Sequence, residues 1–434
     1  MAAKIVTWSP QARQAAVQAF LTRPAFDRRA ETLARSVLED IRQNGEPAVA
    51  RHAARFDGVA LTPRQWRVTD AERQAARRGV SSSFRAAIRL ARARIAAFAR
   101  AGRKRDWSMP SPRGGRLGER FVPYDRVGVY VPGGQVPLVS TALMTATLAQ
   151  VAGVPEIVAC TPCAADGGVN PMLLCALDAA GATEIYRIGG IQAIGLMAYG
   201  TQRIPKVQKI VGPGGPYVTA AKRLVYGEVA LDLVAGPSEI AVLSDGTAPA
   251  RCVAADLISQ AEHGTGWEKA LLVTPSAAHA RAVSRELDQQ IQTLPRAAAV
   301  KRVLKARGLL MVVVRDLDDG MELCNRFAPE HLELLVRHPE RWLRRVRCAG
   351  AVFLGPWTPE SAGDFVAGPS HVLPTGGSAA RFAGLTVDDF RRRMSVIAFS
   401  RRDLRETLAA IEAFGQMEGL EGHARSARLR FSES

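Results

Sequence analysis

Cysteine is scarce in this sequence, and the few cysteines are not arranged as a redox or disulfide framework. Of 434 residues only six are cysteine, and only Cys160 and Cys163 form a C-x-x-C pair, in "EIVACTPCAADGG". "EIVAC" is typical of a buried strand that runs into a proline-containing loop. A redox pair instead places its second thiol at a helix N-terminus, where the thiol pKa is lowered. The pair is therefore predicted to be structural.

Long apolar runs are also absent. No stretch approaches the roughly 20 apolar residues needed to cross a bilayer. The opening "MAAKIVTWSPQARQAAVQAF" has no long apolar region with a small-residue cleavage site. The hydrophobic (47%) and charged (23%) fractions are ordinary for a globular protein. We therefore expect a cytoplasmic protein with no membrane partner, long enough for about two to four domains.

Lysine is rare although the chain is strongly basic. Only eight of the 58 basic residues are lysine, and arginine is spread along the chain, giving a net charge of +17. The densest stretch, "FRAAIRLARARIAAFARAGRKR", repeats Phe84, Ile88, Ile95 and Phe98 at helical spacing, which predicts an amphipathic helix with a solvated arginine face. No zinc-finger spacing, RNA-binding aromatic signature or basic tail accompanies it, so we predict no nucleic-acid partner.

Two common phosphate-binding motifs are missing. Neither G-x-G-x-x-G nor G-x-x-x-x-G-K-[ST] occurs, which excludes a standard dinucleotide fingerprint and a P-loop. From residue 126 onward, short Val- and Ile-rich runs alternate with helical stretches, which predicts an α/β fold with parallel sheets covered on both faces. Glycine-rich turns follow some of these runs. Because ligands of such sheets bind at the carboxyl ends of strands, the candidate contacts are "VPGGQVP", "IGGIQAIG" and "VGPGGPYV".

Four of the seven histidines stand near groups that can ligate metal or transfer protons. Gln260 is three residues before His263, a spacing that places both side chains on one face of a helix. A neutral imidazole ligates metal or abstracts a proton, and a carboxylate ligates metal or activates water. The histidines are His263 in "SQAEHG", His331 in "FAPEHLEL", His371 in "AGPSHVLPTGG" and His423 in "EGLEGHARSA", and the nearby carboxylates are Glu330, Asp364 and Glu418.

Taken together and in this order, these segments resemble the histidinol dehydrogenase family nearly from end to end. The matching stretches are "FDG" (56–58), "VGVYVPGG" (127–134), "IPKVQKIVGPGG" (204–215), "AKRLVYG" (221–227), "LVAGPSEI" (233–240), "ADLISQAEHG" (255–264), "APEHLEL" (328–334) and "ESAGDFVAGPSHVLPTGG" (360–377). The resemblance implies an enzyme that oxidises L-histidinol to L-histidine in two NAD-dependent steps, with zinc positioning the substrate.

The same resemblance implies roles for individual residues. Gln260, His263, Asp364 and His423 match the family's zinc ligands, and a set without thiolates suits an exchangeable site that accepts substrate. His331 would accept the alcohol proton, since an imidazole with a pKa of about 6.5 is poised near neutral pH, and Glu330 would then activate water. Substrate contacts match the four zinc ligands together with Ser238, His331, His371 and Glu418, and NAD contacts match Tyr130, Gln192 and Gly215.

Two positions depart from the family pattern. Gly215 stands where the family usually has an asparagine that contacts NAD, and Phe365 replaces the more usual tyrosine of "GDY". Both changes leave the implied zinc and proton-transfer residues in place. They bear on coenzyme affinity and on the identity of the substrate.

The fold that the resemblance implies is two incomplete Rossmann-like domains with helical arms, in a domain-swapped homodimer with shared active sites. We expect residues 1–25 to form an N-terminal helical arm, and residues 26–110 and 240–383 a discontinuous first domain that carries the zinc and catalytic residues. Residues 111–239 would form an inserted second domain with the NAD-contacting loops. Residues 384–434 would form a C-terminal helical arm that is exchanged with the partner subunit.

Two other functions are weighed against this one. The first is a family paralogue that oxidises another polyol, such as a sulfonated propanediol. Against it, "ESAGDFVAGPSHVLPTGG" is more similar to the histidinol members. The second is a basic nucleic-acid-binding or scaffold protein on a decayed enzyme fold, and retention of all four implied ligands argues against decay.

Overall fold

The computed structural model describes residues 3–12, 14–22, 27–133, 137–233 and 236–432. Parts of the predicted turn "VPGGQVP" and of "LVAGPSEI" therefore lie outside the described residues. Within these ranges the strands are β1 (Lys4–Thr7), β2 (Trp107–Pro110), β3 (Arg116–Pro123), β4 (Arg126–Tyr130), β5 (Glu156–Cys160), β6 (Glu184–Tyr186), β7 (Lys209–Val211), β8 (Ala230–Leu231), β9 (Glu239–Ser244), β10 (Lys269–Thr274), β11 (Leu309–Val313), β12 (His331–Leu335), β13 (Ala351–Leu354) and β14 (Arg391–Ala398). The α-helices are α1 (Ala15–Leu21), α2 (Arg28–Asn44), α3 (Glu46–Phe56), α4 (Asp70–Gly79), α5 (Ser82–Gly102), α6 (Val139–Ala152), α7 (Pro171–Ala180), α8 (Gly190–Tyr199), α9 (Pro216–Leu224), α10 (Ala250–Ala261), α11 (Ala277–Thr293), α12 (Ala297–Lys305), α13 (Leu317–Phe327), α14 (Pro339–Leu343), α15 (Glu360–Phe365), α16 (Arg401–Met417) and α17 (Glu421–Arg428).

Two parallel sheets organise the chain, and both have the same strand order. The first runs β6-β5-β4-β7-β8, and the second runs β1-β11-β10-β9-β12-β13. If the strands are renumbered from 1, starting at β4 in the first sheet and at β9 in the second, each sheet has the order 3-2-1-4-5. This is the Rossmann order without its last strand. In the second sheet, β1 is an additional edge strand beside β11. The prediction of an α/β fold with two incomplete Rossmann-like units is confirmed.

Helices cover both faces of the five-stranded sheet because its strands are apolar on both sides. Along β4, Val127 and Val129 point to the cluster that contains α4 to α7, and Tyr130 points to the cluster that contains α2, α3, α8 and α9. Gly128 allows α8 to approach closely, since a Cβ there would lie only 2.5 Å from Sδ of Met197. The loops that follow β4, β6 and β7 therefore meet at one carboxyl edge.

The six-stranded sheet is covered in the same way. α10, α11 and α12 pack on one face, against Ile240 and Val242, and α1 and α13 pack on the other, against Ala241 and Leu243. On β12, Leu332 and Leu334 belong to the second cluster. Side chains alternate along a strand, so His331 and Glu333 point towards the face that α10 covers.

The packing of residues 28–102 differs from the predicted grouping. We expected residues 26–110 to share a domain with residues 240–383. Instead α2 to α5 bury their apolar faces, with Ile41 and Ile95 fully buried, against the five-stranded sheet. Helical periodicity identifies the buried face of a helix, but it does not identify the sheet that the face covers.

Both ends of the chain also contain strands that were not predicted. Lys4–Thr7 pairs in parallel with β11, so the described part of residues 1–25 is a strand followed by a helix. Arg391–Ala398 pairs with β3 in an antiparallel sheet of order β14-β3-β2. Each strand pairs with a partner far away in sequence, which local pattern cannot reveal.

The arginine-rich stretch forms α5, as predicted, with Ile88 and Ile95 buried. Phe98 was expected on the buried face but is 55% exposed, and Ala91 and Ala99 are buried instead. Among the described residues, no helix combines the length and apolar character needed to span a bilayer.

Candidate active site at the junction of the two parallel sheets

Glu330 and His331 lie at the amino end of β12, and both side chains are buried, with 5% and 3% exposed. β12 pairs with β9 at the position where the strand order of the sheet reverses. The backbone N–H of Glu239, the first residue of β9, donates to Oε2 of Glu330 at 3.0 Å. We predicted ligand contacts at carboxyl edges, but in this sheet the reactive groups lie at the amino edge.

His331 is held between α10 and α15. Its Nδ1–H donates to Oε1 of Gln260 at 3.0 Å, since an amide oxygen can only accept. Its Nε2 lies 3.6 Å from Oδ1 of Asp364, an ion-pair distance. In the described part of the chain, the buried Nε2 atoms of His331 and Gln260 have no hydrogen-bond partner. Buried polar atoms are rarely left unpaired, so these two indicate where a ligand binds.

His371 connects this cluster to the five-stranded sheet. Burial lowers the pKa of His371, which favours the neutral ring. Its Nδ1 donates to the backbone oxygen of Asp364 at 2.9 Å, and its Nε2 lies 3.2 Å from Oγ1 of Thr141. Thr141 is in the first turn of α6, the helix that follows β4. The carboxyl edge of one parallel sheet therefore meets the amino edge of the other.

The ionisable groups in this cluster change one another's pKa. Burial raises the pKa of Glu330 to about 7. Burial opposes a charge on His331, but the carboxylates of Glu330 and Asp364 outweigh it and raise the pKa of His331 to about 10. Despite burial, the contact with His331 holds the pKa of Asp364 well below its usual range. His331 thus differs from the expected imidazole of ordinary pKa, because the surrounding carboxylates retain its proton.

A second tier of carboxyls, two buried and one half-buried, lies beside these residues and was not predicted from the sequence. We define the second tier as Asp256, Glu333 and Glu360. Each member lies on the same strand or helix as a residue of the cluster described above. The two are separated by two positions on the strand and by four on the helices, so their side chains lie on the same face of that element. The pairs are Glu333 with His331 on β12, Asp256 with Gln260 on α10, and Glu360 with Asp364 on α15.

Hydrogen bonds tie the second tier to the start of α15. Oε1 of Glu333 accepts from the backbone N–H of Glu360 at 2.8 Å, and Oγ of Ser259 donates to Oε2 of Glu360 at 2.7 Å. Burial raises the pKa of Asp256 to about 6, that of Glu360 to about 8, and that of Glu333 well above its usual range. The contact between Glu333 and Asp256 raises the pKa of Glu333 further and opposes the rise at Asp256, so Glu333 keeps its proton and donates it to the Asp256 carboxylate.

The other residues predicted around the substrate are less enclosed. Ser238 is half-buried just before β9, and His263 is exposed just after α10, close enough to contribute to the lowered pKa of His371. Glu418 and His423 are exposed at the end of α16 and on α17. Across the described ranges, neither of these two side chains makes a hydrogen bond or an ion pair, so the chain's own fold does not bring them to His331.

The residues predicted to contact NAD lie at the carboxyl edge of the five-stranded sheet. Tyr130 ends β4, Gln192 is in the first turn of α8, and Gly215 caps α9. Gly215 has ordinary backbone angles, and a Cβ there would meet nothing within 4 Å, so this position has room for a side chain. Nearby, burial raises the pKa of Cys160 to about 12 and also raises that of Cys163, so both stay thiols rather than reactive thiolates.

The chemistry of the cluster suits a divalent cation. One ligand atom from each of His331, Glu360 and Asp364 lies within 4.8 Å of the others. Of the predicted zinc ligands, Asp364 belongs to this group, Gln260 contacts His331, and His263 is at the end of the same helix as Gln260. A cation beside Asp364 would offset the negative charge that retains the proton on His331.

Comparisons with known proteins agree along most of the chain. The family profile described as Histidinol dehydrogenase matches residues 22–431. Histidinol dehydrogenase of Moorella thermoacetica is 48% identical over 91% of this chain and 93% of its own, and that of Thermus thermophilus is 44% identical over 94% and 96%. A crystal structure of histidinol dehydrogenase from Elizabethkingia anophelis superposes with a TM-score of 0.93 at 33% identity, covering 99% of this chain and 98% of that one.

The protonated Glu333 predicts how two substitutions differ. Glu333→Gln keeps an acceptor for the Glu360 N–H and a donor for Asp256, so its free energy of unfolding at neutral pH should be at least that of the unmodified protein. Glu333→Ala leaves both partners unpaired and should lose about 1–3 kcal/mol. Urea denaturation measures both.

The pH dependence of this stability difference shows whether the proton on Glu333 is its cause. A raised carboxyl pKa contributes stability below its unfolded value of about 4.5, and this contribution is lost as pH rises towards the folded value. The advantage of Glu333→Gln should therefore grow from pH 5 to pH 8, since both values lie above the unfolded pKa of about 4.5. A constant difference between the two proteins would mean that Glu333 is ionised.

Proposed function

The chain belongs to the histidinol dehydrogenase family, an NAD-dependent oxidoreductase family, and we propose that it oxidises L-histidinol to L-histidine where its two parallel sheets meet. The observation that carries this proposal is the buried His331, with its unpartnered Nε2, between the carboxylates of Glu330 and Asp364. The relatives named histidinol dehydrogenase favour this substrate over another polyol.

We propose that zinc binds to Gln260, His263 and Asp364 of one chain and to His423 of the partner subunit. Amide oxygen, imidazole and carboxylate are donors that a borderline ion such as zinc accepts. When bound, the ion supplies a positive anchor for the imidazole and amine nitrogens of histidinol. The need for a partner residue is supported by the exposure of His423, whose side chain makes no hydrogen bond or ion pair within the described residues.

We propose that His331 and Glu330 carry the proton transfers. His331 would take the alcohol proton as hydride leaves the carbinol carbon, and Glu330 would then take a proton from the water that adds to the aldehyde. A carboxyl with a pKa of about 7 is a stronger base than an ordinary glutamate, which suits that second role. Ser238, His371 and the partner's Glu418 would complete the substrate contacts.

We propose that NAD binds along the carboxyl edge of the five-stranded sheet, near Tyr130, Gln192 and Gly215. The helices α6, α8 and α9 begin at this edge, and helix N-termini favour the phosphate groups of a dinucleotide. Gly215 can offer only its backbone, so a side-chain contact that asparagine would make is absent at this position.

We propose that the C-terminal helices are exchanged in a homodimer. α16 and α17 pack on each other, with Gly415 against Ala424, and they leave large apolar side chains in solvent. Phe414 is 62% exposed and Met417 is 81% exposed. Surfaces of this kind are usually covered in the assembled protein. A two-fold exchange would place each tail in the partner's site and make the two sites equivalent.

The first prediction concerns the metal. Chelator-treated protein should lose activity and recover it with zinc, because a divalent anchor for the substrate has been removed and restored. Asp364→Ala should bind zinc more weakly by more than about 100-fold, since even changes beyond the ligands cost 10–100-fold. Competition with a zinc-binding dye measures that affinity without turnover. Full activity in protein shown to be metal-free would contradict the proposal.

The second prediction separates the two oxidations. Glu330→Gln should slow oxidation of the aldehyde by about 10²–10⁴-fold, the usual contribution of a general base, and should slow the first hydride transfer much less. Single-turnover kinetics with histidinol and with the aldehyde resolve the two steps. Glu333→Gln, at another buried glutamate of the same segment, is the matched control and should leave both rates near normal. Equal losses in both steps would refute the division of roles.

The third prediction tests the shared site. His263→Ala and His423→Ala should each be nearly inactive, but co-expression of the two should return about a quarter of normal activity. Random pairing makes about half of the dimers mixed, and each mixed dimer has one site free of both changes. Co-expression of His263→Ala with Asp364→Ala is the control, since both changes then affect the same side of every site. If His423 serves its own chain, neither mixture recovers activity.

A further inference from the structure

The N-terminus of α8 is held by a residue from a distant part of the chain. Asp57 follows α3 in the "FDG" stretch, and its Oδ2 accepts from the backbone N–H of Gly189 at 3.1 Å and from Nε2 of Gln192 at 3.0 Å. The hydroxyl oxygen of Tyr130 accepts from the N–H of Gly190 at 3.2 Å. Asp57 and Tyr130 therefore fix the turn that leads into α8.

Asp57 also determines the orientation of the Gln192 amide group. A carboxylate only accepts hydrogen bonds, so the NH₂ group of Gln192 must point at Asp57, and its carbonyl oxygen must point away. The Gln192 side chain is fully buried, and within the described ranges its Oε1 has no hydrogen-bond partner. A buried acceptor without a partner is costly, and such an atom is expected to meet a donor from a bound molecule.

The surroundings of this oxygen suit a ligand with both a donor and an acceptor. Oε1 of Gln192 lies 3.0 Å from the position that a Cβ on Gly190 would take, and Gly190 has a φ of +60°, which favours glycine. The Tyr130 hydroxyl, which accepts from Gly190, keeps its own O–H to donate. One acceptor and one donor thus lie beside the same glycine.

We propose that Asp57 is a positioning residue for coenzyme binding: it orients the Gln192 amide so that Oε1 accepts a hydrogen bond from NAD. This inference rests on the coenzyme site proposed above. The donor on NAD is an N–H of the nicotinamide carboxamide or an O–H of a ribose, and the experiment below distinguishes these sources. Asp57 itself would not touch the coenzyme.

Asp57→Ala tests the proposal because it removes the oxygen that accepts from both Gly189 and Gln192. Without that acceptor, the Gln192 amide can turn its NH₂ group towards the coenzyme, where it meets another donor. The KM for NAD should rise by about 10–100-fold, the change expected when a donor loses a buried acceptor. The KM for histidinol and kcat at saturating NAD should change little.

The double variant Asp57→Ala with Gln192→Met gives the decisive comparison. Gln192→Met keeps Asp57 as the partner of Gly189, and it should weaken NAD binding to the extent that Asp57→Ala does. If Asp57 acts through Gln192, the double variant should bind NAD no more weakly than Gln192→Met alone. Asp57→Asn is the matched control, because its side-chain oxygen can take the place of Oδ2 and accept from both Gly189 and Gln192, so its KM for NAD should stay within a few-fold of normal.

Binding of the 3-acetylpyridine analogue of NAD, in which a methyl group replaces the carboxamide NH₂, identifies the donor. If the donor is the carboxamide, the unmodified protein should prefer NAD and Asp57→Ala should lose that preference. If the donor is a ribose hydroxyl, Asp57→Ala should weaken both coenzymes equally. Urea midpoints of all variants are measured in parallel.

Two outcomes would overturn the inference: an unchanged KM for NAD in Asp57→Ala, or a double variant that binds NAD clearly more weakly than Gln192→Met alone while its urea midpoint is normal. If the proposed function is wrong, the unmodified, zinc-loaded protein will show no histidinol-dependent NAD reduction. This outcome is seen before any variant is compared.

Discussion

The opposed orientation of the two parallel sheets is the constraint on which the site depends. In the five-stranded sheet the glycine-rich turns lie at the carboxyl edge, where ligands of such sheets usually bind. In the six-stranded sheet the reactive groups lie at the amino edge, on His331 and its neighbours. The contact between Thr141 and His371 shows that these two edges meet. A coenzyme bound as proposed at the first edge would therefore lie beside a substrate bound at the second.

A second constraint is the free-energy cost of burying many ionisable groups. Retained protons and ion pairs reduce this cost. Glu333 and Glu360 keep their protons because burial raises their pKa, while Asp364 stays ionised beside His331. Each of β12, α10 and α15 contributes one residue to the reactive cluster and one to the second tier. The tier thus joins the three elements that carry His331, Gln260 and Asp364.

Much of the fold could be predicted from the sequence, because each strand and helix carries a local pattern. The alternation of apolar runs with helices indicated parallel sheets, and the glycine turns after β6 and β7 lie at a carboxyl edge, as predicted. Local pattern gave no information on pairing between distant segments. The edge strands Lys4–Thr7 and Arg391–Ala398, and the packing of residues 28–102 on the five-stranded sheet, were therefore missed or assigned differently.

In the candidate site, too, local motifs could be predicted and contacts between distant segments could not. Glu330, His331 and Asp364 were recognisable from their motifs, and the structure brings them together. Asp256 and Glu360 were missed because a carboxylate one helical turn from another polar residue usually lies on a solvated face. The signal that could have found them is their common spacing to Gln260 and Asp364, read together with Glu333 two residues after His331. The orienting role inferred for Asp57 depends on a contact across more than 130 positions, which spacing cannot show.

The claim that the two edges form one zinc-dependent site is tested most directly by anomalous diffraction at the zinc edge, on crystals of the zinc-loaded protein. We predict one peak per subunit, at ligand distance, about 2.0–2.2 Å, from a carboxylate oxygen of Asp364 and the amide oxygen of Gln260. The fourth donor should be His423 of the partner subunit. A peak remote from Asp364, or no peak in a fully active protein, would contradict the account.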